Sequence, residues 1–188
     1  MLISALRSSG NPIRALALLV LLVTLQSCQA PRPVQRHKAV AELSSGLRPW
    51  PSVDAWVDPP AGWSIQPLKR DSRHTHEIWI SPSGNTAYGV IYFNLPLPVS
   101  ADFVLPFFIE AMRLTEGNAG LLWHEYDPKL PGVRFEAEGG AYRIQAYLVT
   151  AGFHGWAVYA GRLRDKPLEI SEFRHAQAAR DKTQLGLK

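Results

Sequence analysis

The sequence predicts an α+β domain: a mainly antiparallel sheet of about six to seven strands with two main helices packed on its faces. Three observations carry this. From residue 59 onward the chain is dense in β-branched and aromatic residues, set in short runs between Pro, Gly, Ser and Asn, the punctuation of strands and tight turns. Two stretches break that rhythm with apolar residues at three- and four-residue steps, the period of an amphipathic helix. The links between neighbouring strand-like runs are too short to cross over a sheet, which makes antiparallel neighbours.

Strand-like runs fall at 63–68, 75–80 and 86–94, the last two separated by Ser81-Pro82-Ser83-Gly84-Asn85. The period then changes. Ser100-Ala101-Asp102 supplies an N-cap signal, and Val104, Phe107, Phe108, Ala111 and Leu114 or Thr115 recur helically until Gly117. Pro106 stands inside this run, so either the helix begins near Leu105 or its first turn is kinked. Strands are predicted again at 120–127, 132–138, 142–150 and 155–164. The middle pair is joined through Glu138-Gly139-Gly140-Ala141, where a Gly-Gly link suits a primed hairpin turn. A second helix is predicted from Ser171 to Thr183, with Phe173, Ala176, Ala179 and Arg180 on related faces.

Upstream of this domain the chain has a different character. Arg7 and Arg14 precede the apolar run Ala15 to Leu25, followed by Gln26, Ser27 and Cys28. A basic start, a short apolar stretch and a small residue at the cut are the layout of an export signal. Eleven residues are too few for a spanning helix, which takes about 20. Leu25-Gln26-Ser27-Cys28 resembles the bacterial lipobox, which implies a signal peptide over 1–27 and acylation, by palmitate or a similar chain, of the sole cysteine, Cys28. The alternative is an ordinary signal-peptidase site with cleavage after Ala30. Gln29 stands where an aspartate would resemble an inner-membrane retention signal. The expectation is therefore a lipid-anchored protein of the cell envelope, favouring the outer membrane facing the periplasm.

Residues 28–53 are rich in Pro, Arg, Ala and Ser and read as a lipidated Cys followed by a linker, with a possible helical turn around Ala39 to Leu43. As a coil, about 25 residues span on the order of 25 to 30 Å. The globular domain is then 54–188. The formal charge of +4 belongs mostly to the leader and linker, because from Asp54 onward 14 Lys and Arg face 15 Asp and Glu. A near-neutral body without a basic block lacks the electrostatic footprint of a nucleic-acid binder. One cysteine also excludes an intramolecular disulfide, a CxxC redox pair and a cysteine-rich zinc site.

The element order, opening with Pro60-Ala61-Gly62-Trp63-Ser64-Ile65 and Pro67, resembles the PsbP-like superfamily of extrinsic photosystem proteins and related bacterial domains. The resemblance covers roughly residues 58–185 and implies a PsbP-like α+β sandwich. It also implies an accessory that binds small molecules, metals or proteins rather than an enzyme. The chain resembles bacterial lipoproteins of uncharacterised function as well.

For chemistry, the sharpest feature is Arg73-His74-Thr75-His76-Glu77. On a strand, residues two apart share a face, so both imidazoles project together, as two-histidine metal ligation requires. His154, His124 or Glu125 could complete a site. Ile80 and Ser81 stand where a cupin-type site has its glutamate, and His124-Glu125-Tyr126-Asp127-Pro128 lacks the second histidine of HExxH. Gly62-Trp63-Ser64-Ile65-Gln66 lacks the closing glycine of a nucleophile elbow, and no phosphate-cradling glycine motif occurs. Glu136, Glu138, Arg134 and Arg143 read as a solvent-facing charge ladder.

Trp63, Trp79, Trp123 and Trp156 fall in strands and read as core. Trp50 and Trp56 at the linker boundary either present a contact surface or cover a sheet edge. Phe153 and His154, in the Gly152–Gly155 loop, are candidates to meet a ligand. No cofactor is implied beyond the lipid on Cys28. The reading that follows is a non-catalytic envelope protein binding a protein partner or a small ligand. The alternative is a metal-dependent envelope hydrolase using the His-x-His pair.

Overall fold

The computed structural model describes residues 46–66, 74–127 and 132–187. The export signal, Cys28 and the turn expected at Ala39 to Leu43 lie outside the described residues. In chain order the elements are β1 (Arg48–Trp50), a 3₁₀ turn (Pro51–Val53), β2 (Ala55–Val57), β3 (Ser64–Gln66), β4 (Thr75–Ile80) and β5 (Thr86–Asn94). Then come α1 (Ala101–Glu116), β6 (Gly120–Asp127), β7 (Gly132–Gly139), β8 (Tyr142–Ala151), β9 (His154–Leu163), α2 (Ile170–Lys182) and β10 (Gln184–Leu185). Among the described residues no helix is long and apolar enough to cross a membrane.

Seven strands form one antiparallel sheet in the order β3-β4-β5-β9-β8-β7-β6. The chain leaves β5 through α1, lands on the far edge as β6, and returns by hairpins until β9 pairs with β5. Alternation along the strands sends side chains to two separate cores. On β9, Trp156, Val158 and Ala160 face one way and Ala157 and Tyr159 the other.

The first core lies between the sheet and α2. Trp79 stacks on Tyr88, its cross-strand partner, with ring centroids 5.0 Å apart, and Ala176 and Ala179 bring the helix close. Tyr88 and Thr183 share a hydrogen bond of 2.7 Å at the helix's end. The second core lies under α1, where Val104, Leu105, Phe108 and Met112 meet Phe135, Ile144 and Leu148. Aromatic side chains as deeply buried as Trp79, Trp156 and Phe135 typically cost about 3–5 kcal/mol to truncate.

Helix α1 starts at Ala101, capped by the Ser100 side chain accepting from the Phe103 N–H, and ends at Gly117, whose positive φ closes it. Pro106 therefore sits within the helix and leaves the Asp102 carbonyl without its intrahelical donor. The buried stripe is rotated from the predicted one. Leu114 is 72% exposed, and Ala101, Leu105 and Met112 take inward positions instead.

The fold also begins before residue 54. Val53 and Val57 are fully buried, the Val53 carbonyl accepts from the Trp156 indole N–H at 2.9 Å, and β1, β2 and β10 form a small three-stranded sheet. Arg48–Val53 thus belongs to the domain and not to the linker. The reason is non-local. The strands have two or three residues each and exist because the C-terminal β10 pairs with β2.

Candidate functional site

His74 and His76 do share one face at the start of β4, with ring centroids 6.3 Å apart. What His76 meets is a tyrosine. Its Nε2 lies 2.7 Å from the Tyr159 hydroxyl, which comes from β9, two strands away. The phenol reaches it by crossing β5 at Gly89, the residue in register with both Ile78 and Tyr159. A Cβ at Gly89 would lie 2.3 Å from the Tyr159 ring, inside any permitted contact. Glycine within a strand commonly marks such a close approach. Burial, helped by the neighbouring His74, holds the His76 pKa down at about 4. The imidazole is therefore neutral at pH 7.

That depression predicts a pH dependence with a definite sign. The unfolded chain binds a proton at this histidine below about 6.5, and the folded chain refuses it until about 4. The folded state's advantage is complete above pH 6.5 and shrinks by up to about 3 kcal/mol as the pH falls to 4. Urea titrations across this range should show a slope that flattens in His76→Gln. Equal slopes in the two proteins would contradict the buried neutral ring.

His154 does not join His74 and His76. Residues 154, 156 and 158 project to the α2 side of the sheet, whereas Tyr159 and His76 project to the α1 side. His154 Nδ1 instead pairs with the Tyr92 hydroxyl at 2.7 Å, the two rings stacked at 5.8 Å. His124 and Glu125 are on β6, five strand positions from β4, or about 24 Å at the usual spacing. Among the described residues no three His, Cys, Asp or Glu side chains gather as a metal site requires. The expected three-ligand set is thus divided by the thickness and the width of the sheet.

The aromatic candidates also separate. Trp50 is partly buried, edge-on to Trp79 at 5.2 Å, and forms part of the first core's cover. Trp56 and Phe153 are exposed. Phe153 occupies the β8–β9 turn, where its carbonyl accepts from the Leu95 N–H at 2.7 Å. Trp79 and Trp156 are core as expected, but Trp123 is 45% exposed at the sheet edge.

Trp123 leads to a group that the sequence reading placed in solvent. Its indole N–H donates to one Glu136 carboxylate oxygen at 2.8 Å, and Arg143 Nε donates to the other at 2.5 Å. Glu136 is 7% exposed. Burial opposes its ionisation, yet the hydrogen bonds from Arg143 and Trp123 and the Arg143 charge outweigh it, holding the carboxyl below its ordinary pKa. The pairing is hidden in the sequence because β6 has an irregularity between Leu121 and Trp123 that resets its register with β7.

The remaining feature of this edge is a groove of about 330 Å³ between α1 and β6, lined by Asp102, Leu105, Pro106, Ile109, Leu121 and His124. Beside it, residues 121–126 of β6 are all exposed, and β6 is the last strand of its sheet.

No family model and no curated protein matches the chain. Among solved structures it is similar to the solution structure of cyanobacterial PsbP (CyanoP) from Synechocystis sp. PCC 6803, with a TM-score of 0.57 and 13% identity. That likeness covers 82% of this chain and 99% of the other. A crystal structure from Bacteroides thetaiotaomicron VPI-5482 is more distant, with a TM-score of 0.42 and 10% identity over 76% of this chain and 49% of that one. The first of these likenesses establishes the PsbP-like α+β sandwich and, at such low identity, the fold alone.

Proposed function

We propose that the chain is a lipid-anchored accessory protein of a cell envelope, whose PsbP-like domain works by binding a protein partner. The observation that carries this reading is the run of exposed apolar side chains on β6. Leu121, Leu122, Trp123 and Tyr126 are all exposed on this one edge strand, Leu121 and Tyr126 on the α1 face and Trp123 on the other. Large apolar side chains left exposed along an unpaired edge mark an interaction site more often than a bare exterior. The accessory role implied by the resemblance to PsbP-like proteins supports it. So does the near-neutral body, which offers a nucleic acid little. The hydrolase alternative gains no support among the described residues, where no third ligand gathers with His74 and His76 and His154 lies on the other side of the sheet.

The test is photo-cross-linking in intact cells with a benzophenone amino acid placed in turn at Leu122, Phe153 and Trp56, all exposed. A recurrent protein adduct, absent without irradiation, is expected. Repeated absence of adducts from all three sites would overturn the binding role.

A further inference from the structure

We infer that the β6 edge is a strand-addition site for an extended peptide segment of another protein, carrying an apolar side chain beside a basic one. This rests on the binding role proposed above and names its surface and the partner's chemistry.

The terminal strand of a sheet presents a row of backbone donors and acceptors along its outer side, and natural proteins usually blunt such edges with Lys, Pro or a cover. Strand β6 has neither Lys nor Pro in Gly120–Asp127. Among the described residues no strand pairs its outer side. The irregularity at Leu121/Trp123 limits regular pairing to the stretch from Trp123 onward, which continues through Asp127. That is enough for a short added strand.

Alternate residues of an added strand point to one face of the sheet, and on the α1 side they meet the groove. Leu105, Pro106, Ile109 and Leu121 make its walls apolar. An edge strand beside a helix-walled apolar slot is the arrangement by which strand addition obtains affinity from the main chain and selectivity from a pocket. Pro106 contributes twice, as an apolar wall and by leaving the Asp102 carbonyl free of its intrahelical donor.

Charge selects the occupant. The groove is lined by the acidic residue Asp102 and by no Lys or Arg, whereas Glu125 lies on the opposite face of β6, in register with Arg134. A second copy of this chain adding its β6 across a two-fold axis would bring no Lys or Arg to the groove, because Gly120–Asp127 contains neither. A lipid would leave the backbone row unpaired. A basic, apolar, extended peptide satisfies all three features.

The experiment uses the full chain in detergent micelles and two fluorescein-labelled decapeptides, one alternating Lys and Ile, the other Glu and Ile. The basic peptide is expected to bind at least about tenfold more tightly by anisotropy and to slow hydrogen exchange at amides between Trp123 and Asp127. Leu121→Lys and Asp102→Asn should each weaken it severalfold, while Phe153→Ala leaves it unchanged. Equal binding of both peptides, protection elsewhere, or unchanged affinity in Leu121→Lys would overturn the assignment. So would concentration-dependent dimerisation that blocks the peptide. Cross-links that form at Phe153 or Trp56 but never at Leu122 would sink this site and leave the binding role standing.

Discussion

Gly89→Ala is expected to destabilise the domain by about 2–4 kcal/mol, although it adds one methyl group to a strand. The methyl would lie 2.3 Å from Cζ and 2.5 Å from Cε1 of Tyr159, so the phenol must withdraw from its path across β5. Overpacking of this kind costs about 1–3 kcal/mol. Withdrawal also breaks the Tyr159–His76 hydrogen bond, worth about 1 kcal/mol. Tyr159 is nearly buried, so its ring has little room to relocate. For a domain of this size the loss corresponds to roughly 10 °C in Tm, read by calorimetry. Tyr159→Leu shortens the side chain, and the double variant should recover part of the Gly89→Ala loss; simple additivity would mean that the ring does not cross there. In Gly89→Ala the His76 pKa, followed by NMR, should rise toward 6.5, because the ring loses the packing that excludes water.

The same contact shows which parts of this fold could be read in the sequence. Strand existence was legible wherever alternation ran long. The segments predicted at 86–94 and 142–150 match β5 and β8 within a residue, and Ser100 with Gly117 marked the ends of α1. Neighbour identity was not. That Tyr159 meets His76 depends on the order β4-β5-β9, which arises because α1 carries the chain to the far edge before it returns. The clue was Tyr88-Gly89-Val90, a glycine in the middle of a strong strand. The separation of His154 from His74 and His76 is likewise a matter of parity. Residues 154 and 159 are five apart on β9 and must face opposite ways, but relating β9 to β4 requires the register of β5 between them. The small sheet left almost no local trace, since its strands are two or three residues long and join chain ends 130 positions apart through Leu185 and Ala55. Glu136 was misplaced for a similar reason: one irregularity in β6 brings Trp123 over it.

Cys28→Ala should convert a protein extracted from membranes by detergent alone into one released by buffer. The expectation follows from the lipid attachment proposed above. The described domain has no membrane-spanning helix, and the segment from Asp54 onward carries nearly balanced charge, so it gains little from anionic lipid. Acyl chains contribute about 0.8 kcal/mol per buried CH₂; one chain binds marginally and two or more hold effectively without release. The change expected on removing the sulfur is therefore close to all-or-none. Nineteen residues stand between Cys28 and Arg48, where the first described strand begins. Phase partitioning in Triton X-114 reads the first effect, and mass spectrometry of the mature N-terminus reads its cause. A free Cys28 thiol, or a chain starting after Ala30, would show that the envelope is reached without the lipid. Membrane retention of Cys28→Ala would instead move the anchor to the protein partner.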